Sequence, residues 1–283
     1  MARFTNQAQL AYRNRITNSN IAVGEILEVL SAAKHAVIKD YEPYDVITYV
    51  VSLVNSGATA LTGLVLTDNL GAYDFNGTSL VPLQYVTDSL KYYVNGVLQT
   101  SPTIASQSPL RIEGISIPAQ GNAVIIYQAT LTEFAPSAIE SFITNQAVIS
   151  GTGISSITVE ETISALAEPI LNITKSISPV PVTENGTLTY TFVIENRGNV
   201  PADPADLIVI TDQFNPILSN LTVTFNGTAW TEGTQYTYDQ TTGLFTTTAG
   251  EVTVPAATFT QNTETGAWSI TPGTSTLVIT GTV

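Results

Sequence analysis

Residues 143–149 read Ile-Thr-Asn-Gln-Ala-Val-Ile, and residues 4–10 read Phe-Thr-Asn-Gln-Ala-Gln-Leu. Both stretches contain Thr-Asn-Gln-Ala and alternate apolar with polar positions, which is typical of a strand with one buried face. The middle copy is followed by a further strand-like segment, residues 157–163, and together they close a β domain. No third copy follows the last apolar segment, which ends at Val283. We therefore expect the N-terminal copy to supply strands that the C-terminal domain lacks.

Two tandem repeats make up most of the remaining chain. Lys34 and Lys175 are 141 positions apart, and the same offset places Asn55-Ser56-Gly57 on Asn196-Arg197-Gly198. Further along, Asp68 matches Asp212. Asn95-Gly96 and Asn226-Gly227 then match as tight hairpin turns, because Asn-Gly readily adopts positive φ. Segment 123–131 aligns with segment 275–283. Only the first repeat continues beyond this segment, to residue 163.

The composition excludes several functional classes. The chain has 23 acidic and 9 basic residues, a net charge of −14, which is poorly suited to binding nucleic acid. There is no cysteine and one histidine, so neither thiolate chemistry nor the usual metal sites are expected, and no cofactor is implied. Neither a secretory signal nor a transmembrane segment is recognisable, so we expect no membrane insertion.

These patterns predict an all-β protein of two tandem immunoglobulin-like Greek-key sandwiches. We expect a donor arm at residues 1–29, a first sandwich at 30–165 and a second at 166–283. Segment 26–37 also fits a helical period. Its repeat counterpart, 166–178, contains Pro169, which a helix interior does not tolerate, so a strand is predicted.

The repeats resemble the bacterial surface-repeat family called domain of unknown function eleven. The residues that carry the resemblance recur in both repeats: Lys34 and Lys175, Thr48-Tyr49 and Thr189-Tyr190, Asn55-Ser56-Gly57 and Asn196-Arg197-Gly198, Thr67-Asp68 and Thr211-Asp212. The resemblance covers residues 30–283 and the arm. It implies immunoglobulin-like modules of surface, stalk or filament proteins, and it does not imply an enzyme.

Lys34, Asp68 and Asn145 look like the Lys–Asp–Asn set of collagen-adhesin-type domains that form intramolecular isopeptide bonds. In that chemistry a buried neutral lysine amine attacks the asparagine side-chain amide. A carboxylic acid polarises the carbonyl group and shuttles protons, and ammonia leaves. An equally open interpretation is that Lys34 is an exposed strand residue, Asp68 a turn carboxylate and Asn145 a strand-entry residue.

The second set is incomplete within its own repeat. Lys175 and Asp212 are present, but the matching asparagine is Asn6 on the arm. Phe4, Ala8 and Leu10 share one face of the arm strand and are predicted to insert into the second sandwich. If the chemistry operates, Lys175 would be crosslinked to Asn6 of a neighbouring copy, with Asp212 as the catalyst.

The sequence thus favours a structural subunit that polymerises head to tail with itself, since a heterologous interface does not close. The alternative is a discrete adhesin or binding module whose arm folds back on its own second sandwich. We expect an extracellular surface filament, with a possible separate anchor or tip protein. Without a recognisable secretion signal, assembly in the mother cell of a spore-former is one hypothetical route to the surface.

Overall fold

The computed structural model describes residues 2–13, 15–26 and 28–283. Within these ranges the chain is built from β-strands, with one short 3₁₀ helix at Pro204–Asp206 and no α-helix. The chain divides into two compact units. Unit 1 comprises the residues up to Ala135 together with Ile143–Ile163, and unit 2 comprises Pro136–Phe142 together with Ser164–Val283. The predicted all-β class is confirmed.

The arm is folded into a β-hairpin rather than extended as a single strand. Its strands are β1 (Ala2–Asn6), β2 (Gln9–Tyr12), β3 (Arg15–Asn18) and β4 (Ala22–Ile26). β1 pairs antiparallel with β4, and β2 pairs with β3. The side chains of Phe4 and Leu10 are exposed, so the hairpin presents apolar groups to solvent.

The strands of the first sandwich are β5 (Leu30–Ala36), β6 (Asp40–Tyr41), β7 (Val46–Asn55), β8 (Leu61–Asp68), β9 (Tyr73–Phe75), β10 (Thr78–Leu80), β11 (Leu83–Tyr85), β12 (Lys91–Val94), β13 (Val97–Gln99), β14 (Thr103–Gln107), β15 (Leu110–Ile117), β16 (Gly121–Leu131), β17 (Phe142–Ser150) and β18 (Ile157–Ala165). One sheet has the order β13-β12-β16-β7-β5, and the other has β14-β15-β8-β17-β18-β6. Strands β7 and β16 alternate buried and more exposed residues, as a two-layer core requires. β5 shows that the segment with helical period is a strand, as predicted.

The strands of unit 2 are β19 (Leu171–Ser178), β20 (Thr187–Asn196), β21 (Thr211–Gln213), β22 (Ser219–Phe225), β23 (Thr228–Trp230), β24 (Tyr236–Asp239), β25 (Leu244–Thr247), β26 (Thr258–Gln261), β27 (Trp268–Thr271) and β28 (Gly273–Thr282). One sheet, β19-β20-β28-β22-β23, has its counterpart in the unit 1 sheet β5-β7-β16-β12-β13. The second sheet contains three strands, β21-β25-β24, which correspond to β8-β15-β14. The β26–β27 hairpin is an insertion that the repeat alignment did not predict.

Local structure supports the repeat alignment. The side chain of Asn55 accepts a hydrogen bond from the Gly57 amide at 3.0 Å and donates to the Thr59 carbonyl at 2.8 Å. Asn196 makes the same pair of bonds, with the Gly198 amide at 2.9 Å and the Val200 carbonyl at 2.8 Å. Both Asn-Gly turns have positive φ at each residue, with 48° and 78° in the first and 49° and 78° in the second. These are the predicted I′-type hairpin turns.

Candidate functional site

Unit 1 contains a fully buried ion pair between its two sheets. Lys34 lies on β5 and Asp68 at the end of β8, and both side chains have 0% exposure. The Nζ of Lys34 is 2.6 Å from Oδ2 of Asp68 and donates to the backbone carbonyl of Asn145 at 2.9 Å. The structure therefore brings Lys34, Asp68 and Asn145 together, and the interpretation of Lys34 as an exposed strand lysine is wrong.

Burial governs the electrostatics of this cluster. Desolvation lowers the pKa of Lys34, and the adjacent Asp68 carboxylate opposes that effect. The Lys34 amine also lies over the ring of Tyr49, 4.8 Å from its centroid. Burial raises the pKa of Tyr49 and of Tyr127. The cluster is thus a dry site in which a lysine amine loses its charge more readily than in water.

Two tyrosines that the Lys–Asp–Asn pattern does not contain also belong to the cluster. The hydroxyl of Tyr127, on β16, donates to Oδ2 of Asp68, and the ring of Tyr127 stacks on Tyr49 with centroids 5.5 Å apart. Oδ1 of Asp68 accepts from the Leu70 amide at 2.8 Å. Tyr49 could have been found from its repeat partner Tyr190. For Tyr127 the available signal is the alternation of residues 123–131, whose odd-numbered positions face inward.

The side chain of Asn145 is buried in the same cluster. Its Oδ1 accepts a hydrogen bond from the Gly71 amide at 3.2 Å, which polarises the side-chain carbonyl group. Its Nδ2 is buried and makes no hydrogen bond of normal geometry with any described residue, although the side chain interacts with the hydroxyls of Tyr49 and Tyr127. A buried amide nitrogen without a partner costs stability. It is also the atom that would leave as ammonia.

The equivalent place in unit 2 is half-open. Lys175, on β19, is ion-paired with Asp212 of β21, and their side chains are 38% and 17% exposed. The Lys175 amine lies over the ring of Tyr190, 4.3 Å from the centroid, and near the rings of Phe192 and Phe214. The position of Tyr127 is taken by Ile279, which lies opposite Tyr190 on β28 as Tyr127 lies opposite Tyr49. Within unit 2 no asparagine side chain contacts Lys175 or Asp212 among the described hydrogen bonds.

The open part of unit 2 corresponds to strands β17, β18 and β6 of the first sandwich. β17 pairs with β8 so that Ala147 lies opposite Asp68 and Ile149 opposite Leu66. No strand of the described residues pairs with the matching edge of β21. Leu30 and Ala36 of β5 are each 7% exposed, whereas their counterparts Leu171 and Ile177 are 39% and 44% exposed. Unit 2 therefore exposes part of its hydrophobic core and one strand edge that has no pairing partner among the described residues.

The β1–β4 part of the arm hairpin has the register of the β17–β18 hairpin at the Thr144–Thr162 pair. The hydroxyls of Thr144 on β17 and Thr162 on β18 are 2.9 Å apart, so these residues face each other across the hairpin. Their counterparts 139 positions earlier, Thr5 and Val23, are directly paired between β1 and β4. Asn6 therefore occupies in the arm the place that Asn145 occupies in unit 1. It is exposed, as are Phe4, Ala8 and Leu10.

Comparisons with known proteins show similarity of structure but not of sequence. No family model matches the chain, so the resemblance to the surface-repeat family stays an expectation, and no curated protein matches its sequence. The pilus backbone RrgB of Streptococcus pneumoniae is 11% identical with a TM-score of 0.34, over 86% of this chain and 55% of that one. The chain thus spans about half of that pilus protein.

Two further solved structures show the same kind of likeness. The major pilin BcpA of Bacillus cereus is 9% identical with a TM-score of 0.36, over 96% of this chain and 73% of that one. A collagen-binding domain from a Staphylococcus aureus adhesin is 11% identical with a TM-score of 0.29, over 50% and 99%. At these values the likenesses identify no function. No helix within the described ranges is long and apolar enough to span a bilayer.

Proposed function

We propose that this chain is a structural subunit that polymerises head to tail, with the donor arm of one copy completing unit 2 of the next. The observation that carries the proposal is a matched pair of exposed surfaces. Unit 2 retains one five-stranded sheet and half of the other, and the arm is an exposed hairpin whose β1–β4 part has the register of the β17–β18 hairpin. Each surface lacks a partner of the kind that the other provides.

The docking register follows from unit 1. Because Ala147 lies opposite Asp68 and Ile149 opposite Leu66, Ala8 should lie opposite Asp212, and Leu10 opposite Ile210. Added to the edge of β21, the arm supplies backbone hydrogen bonds as a strand-addition partner does. The counterpart strand β8 has eight residues and β21 only three, which is consistent with β21 lengthening when its second edge is paired.

Burial of apolar groups supplies the driving force. Phe4 and Leu10 on the arm, and Leu171, Ile173 and Ile177 on β19, are between 39% and 61% exposed. Burying the exposed half of five such side chains is worth about 4–8 kcal/mol, from about 1.5–3 kcal/mol for each whole side chain. The arm is already a hairpin, so less conformational entropy is lost on docking than for an unstructured segment.

We further propose that both Lys–Asp–Asn sets form isopeptide bonds, within unit 1 and between copies. Nζ of neutral Lys34 attacks Cγ of Asn145, the C–N bond to Nζ forms, and the bond to Nδ2 breaks. Ammonia leaves with a proton from the amine, and Asp68 relays that proton. We call the interface between the arm of one copy and unit 2 of the next the joint. In the joint, Lys175 would attack Asn6 of the neighbouring copy, and Asp212 would relay the proton.

Removal of the donor arm tests strand donation. A chain lacking the arm should keep both units folded by circular dichroism but form no filaments in negative-stain images. A synthetic peptide of residues 1–29 added to the intact protein should occupy unit 2 and shorten the filaments. Filaments that form equally well without the arm would contradict the proposal. Monomers of the intact protein whose unit 2 is protected by their own arm would instead support the discrete adhesin.

A filament of this kind has two different ends, one with an unpaired arm and one with an open unit 2. We propose that it is an extracellular surface appendage, and that an anchor or tip protein carries a matching hairpin or groove. Assembly in the mother cell of a spore-former is the export route that we propose. Immunogold labelling should then mark spores, and label found only in secretions of growing cells would count against this route.

A further inference from the structure

The arm and the β17–β18 hairpin share Thr-Asn-Gln-Ala and the same register, so a subunit carries two hairpins that could compete for unit 2. We propose that a charge cluster around Glu161 decides between them, keeping β17–β18 in its own sandwich and leaving unit 2 for the arm of a second copy. This inference rests on the proposed function, because it names the determinant of partner choice in the same joint.

Glu161 is an unusual residue for its position. It lies on β18, where residues 161, 163 and 165 are buried, and its side chain is only 9% exposed. Lys39 forms an ion pair with Glu161, and Nδ1 of His35 lies 3.8 Å from Oε2. Buried carboxylates need such partners, because desolvation of an unpaired charge is costly.

All three residues of the charge cluster have uncharged counterparts at the proposed joint. The arm counterpart of Glu161, 139 positions earlier, is Ala22. The unit 2 counterparts of His35 and Lys39, 141 positions later, are Ser176 and Val180. A charged cluster within unit 1 thus corresponds to a neutral set divided between the arm and unit 2.

The charge cluster opposes entry of β17–β18 into unit 2 but does not oppose entry of the arm into unit 1. If β17–β18 of any copy entered unit 2, Glu161 would be desolvated against Ser176 and Val180, and the nearby cation, Lys175, is already paired with Asp212. If the arm entered unit 1, Lys39 would simply return to solvent, since its side chain is already 59% exposed. Entry of the arm into unit 1 is instead opposed because β17–β18 already fills that site. Glu161 is therefore a specificity-determining residue that excludes the wrong hairpin from unit 2.

The test installs the charge on the arm. Ala22→Glu in the full-length protein should raise the critical concentration for filament formation about tenfold or more, because Ser176 and Val180 offer the carboxylate no cation and Lys175 is already paired with Asp212. The matched control is Ile21→Glu on the opposite, exposed face, where β18 itself carries the exposed Glu160. That variant should assemble within about twofold of wild type, since a solvated charge costs little.

Rescue completes the test. Adding Ser176→His and Val180→Lys to Ala22→Glu should restore the critical concentration to within a few-fold of wild type. Assembly of Ala22→Glu equal to that of Ile21→Glu, or a triple variant that stays impaired, would overturn the inference. Failure of the proposed function gives a different result, because filaments would then still form from the chain that lacks the arm. That result would also refute this inference.

Discussion

Leu10→Asp is the single substitution that should separate donation of the arm from any other mode of assembly. Leu10 lies on β2 with 61% of its surface exposed, so the change should not unfold either unit. Its counterpart in unit 1, Ile149, is completely buried opposite Leu66, which is buried too. In the proposed register the new carboxylate would enter the core of unit 2 beside Ile210.

The size of the effect follows from two contributions. Losing the burial of the exposed part of Leu10 costs about 1–2 kcal/mol, from about 1.5–3 kcal/mol for a whole leucine side chain. Placing an unpaired carboxylate in a dry core costs several kcal/mol more. The total is about 4–6 kcal/mol, which corresponds to roughly a 10³- to 10⁴-fold weaker joint.

The assay is the critical concentration for filament formation, measured by sedimentation at fixed salt. Gln9→Asp is the matched control, because position 9 is on the other strand face and its charge would stay in water. We expect Gln9→Asp to change the critical concentration less than about threefold. Equal effects of the two substitutions would refute the register, and an unimpaired Leu10→Asp would refute insertion of this face.

Three further results are expected. Filaments boiled in SDS should run as a ladder, and Lys175→Ala or Asn6→Ala should reduce the ladder to monomer while non-covalent assembly persists; a wild-type sample that already melts to monomer removes the intermolecular bond. Mass spectrometry of the monomer should show loss of one ammonia, mapped by peptide digestion to Lys34 and Asn145, and an unmodified mass would exclude this bond. Lys34→Met should remove both the proposed crosslink and the lysine partner of buried Asp68, and lower the free energy of unfolding by about 3–5 kcal/mol or more, measured by urea denaturation; a loss under about 1 kcal/mol would mean that neither contact stabilises unit 1.

The architecture could be predicted from sequence because period-two alternation and turn chemistry are local signals. Asn95-Gly96 and Asn226-Gly227 need positive φ, and the structure gives it to them. Lys34 and Lys175 share a repeat position, which identifies the site from the sequence. A rare charged residue in a strand is informative because burying it requires a partner.

Other features depend on packing that a single sequence does not reveal. Tyr127 contacts Asp68 from a strand of the opposite sheet, so only the way the two sheets pack brings them together. The β26–β27 insertion has no counterpart in the first repeat, so no internal comparison could indicate it. His35 is exposed, and its neighbour Glu161 lies on a strand of the opposite sheet, so their contact depends on how the two sheets pack.

The most direct test of strand donation is a cryo-EM reconstruction of the assembled full-length protein. We predict filaments in which a hairpin joins the free edge of β21, with Ala8 opposite Asp212 and Leu10 opposite Ile210. Its connection should trace to unit 1 of the adjacent copy, and density between Lys175 and Asn6 should be continuous. Two results would contradict strand donation. One is discrete particles in which the hairpin at the edge of β21 belongs to the same chain, and the other is filaments in which that edge stays unpaired.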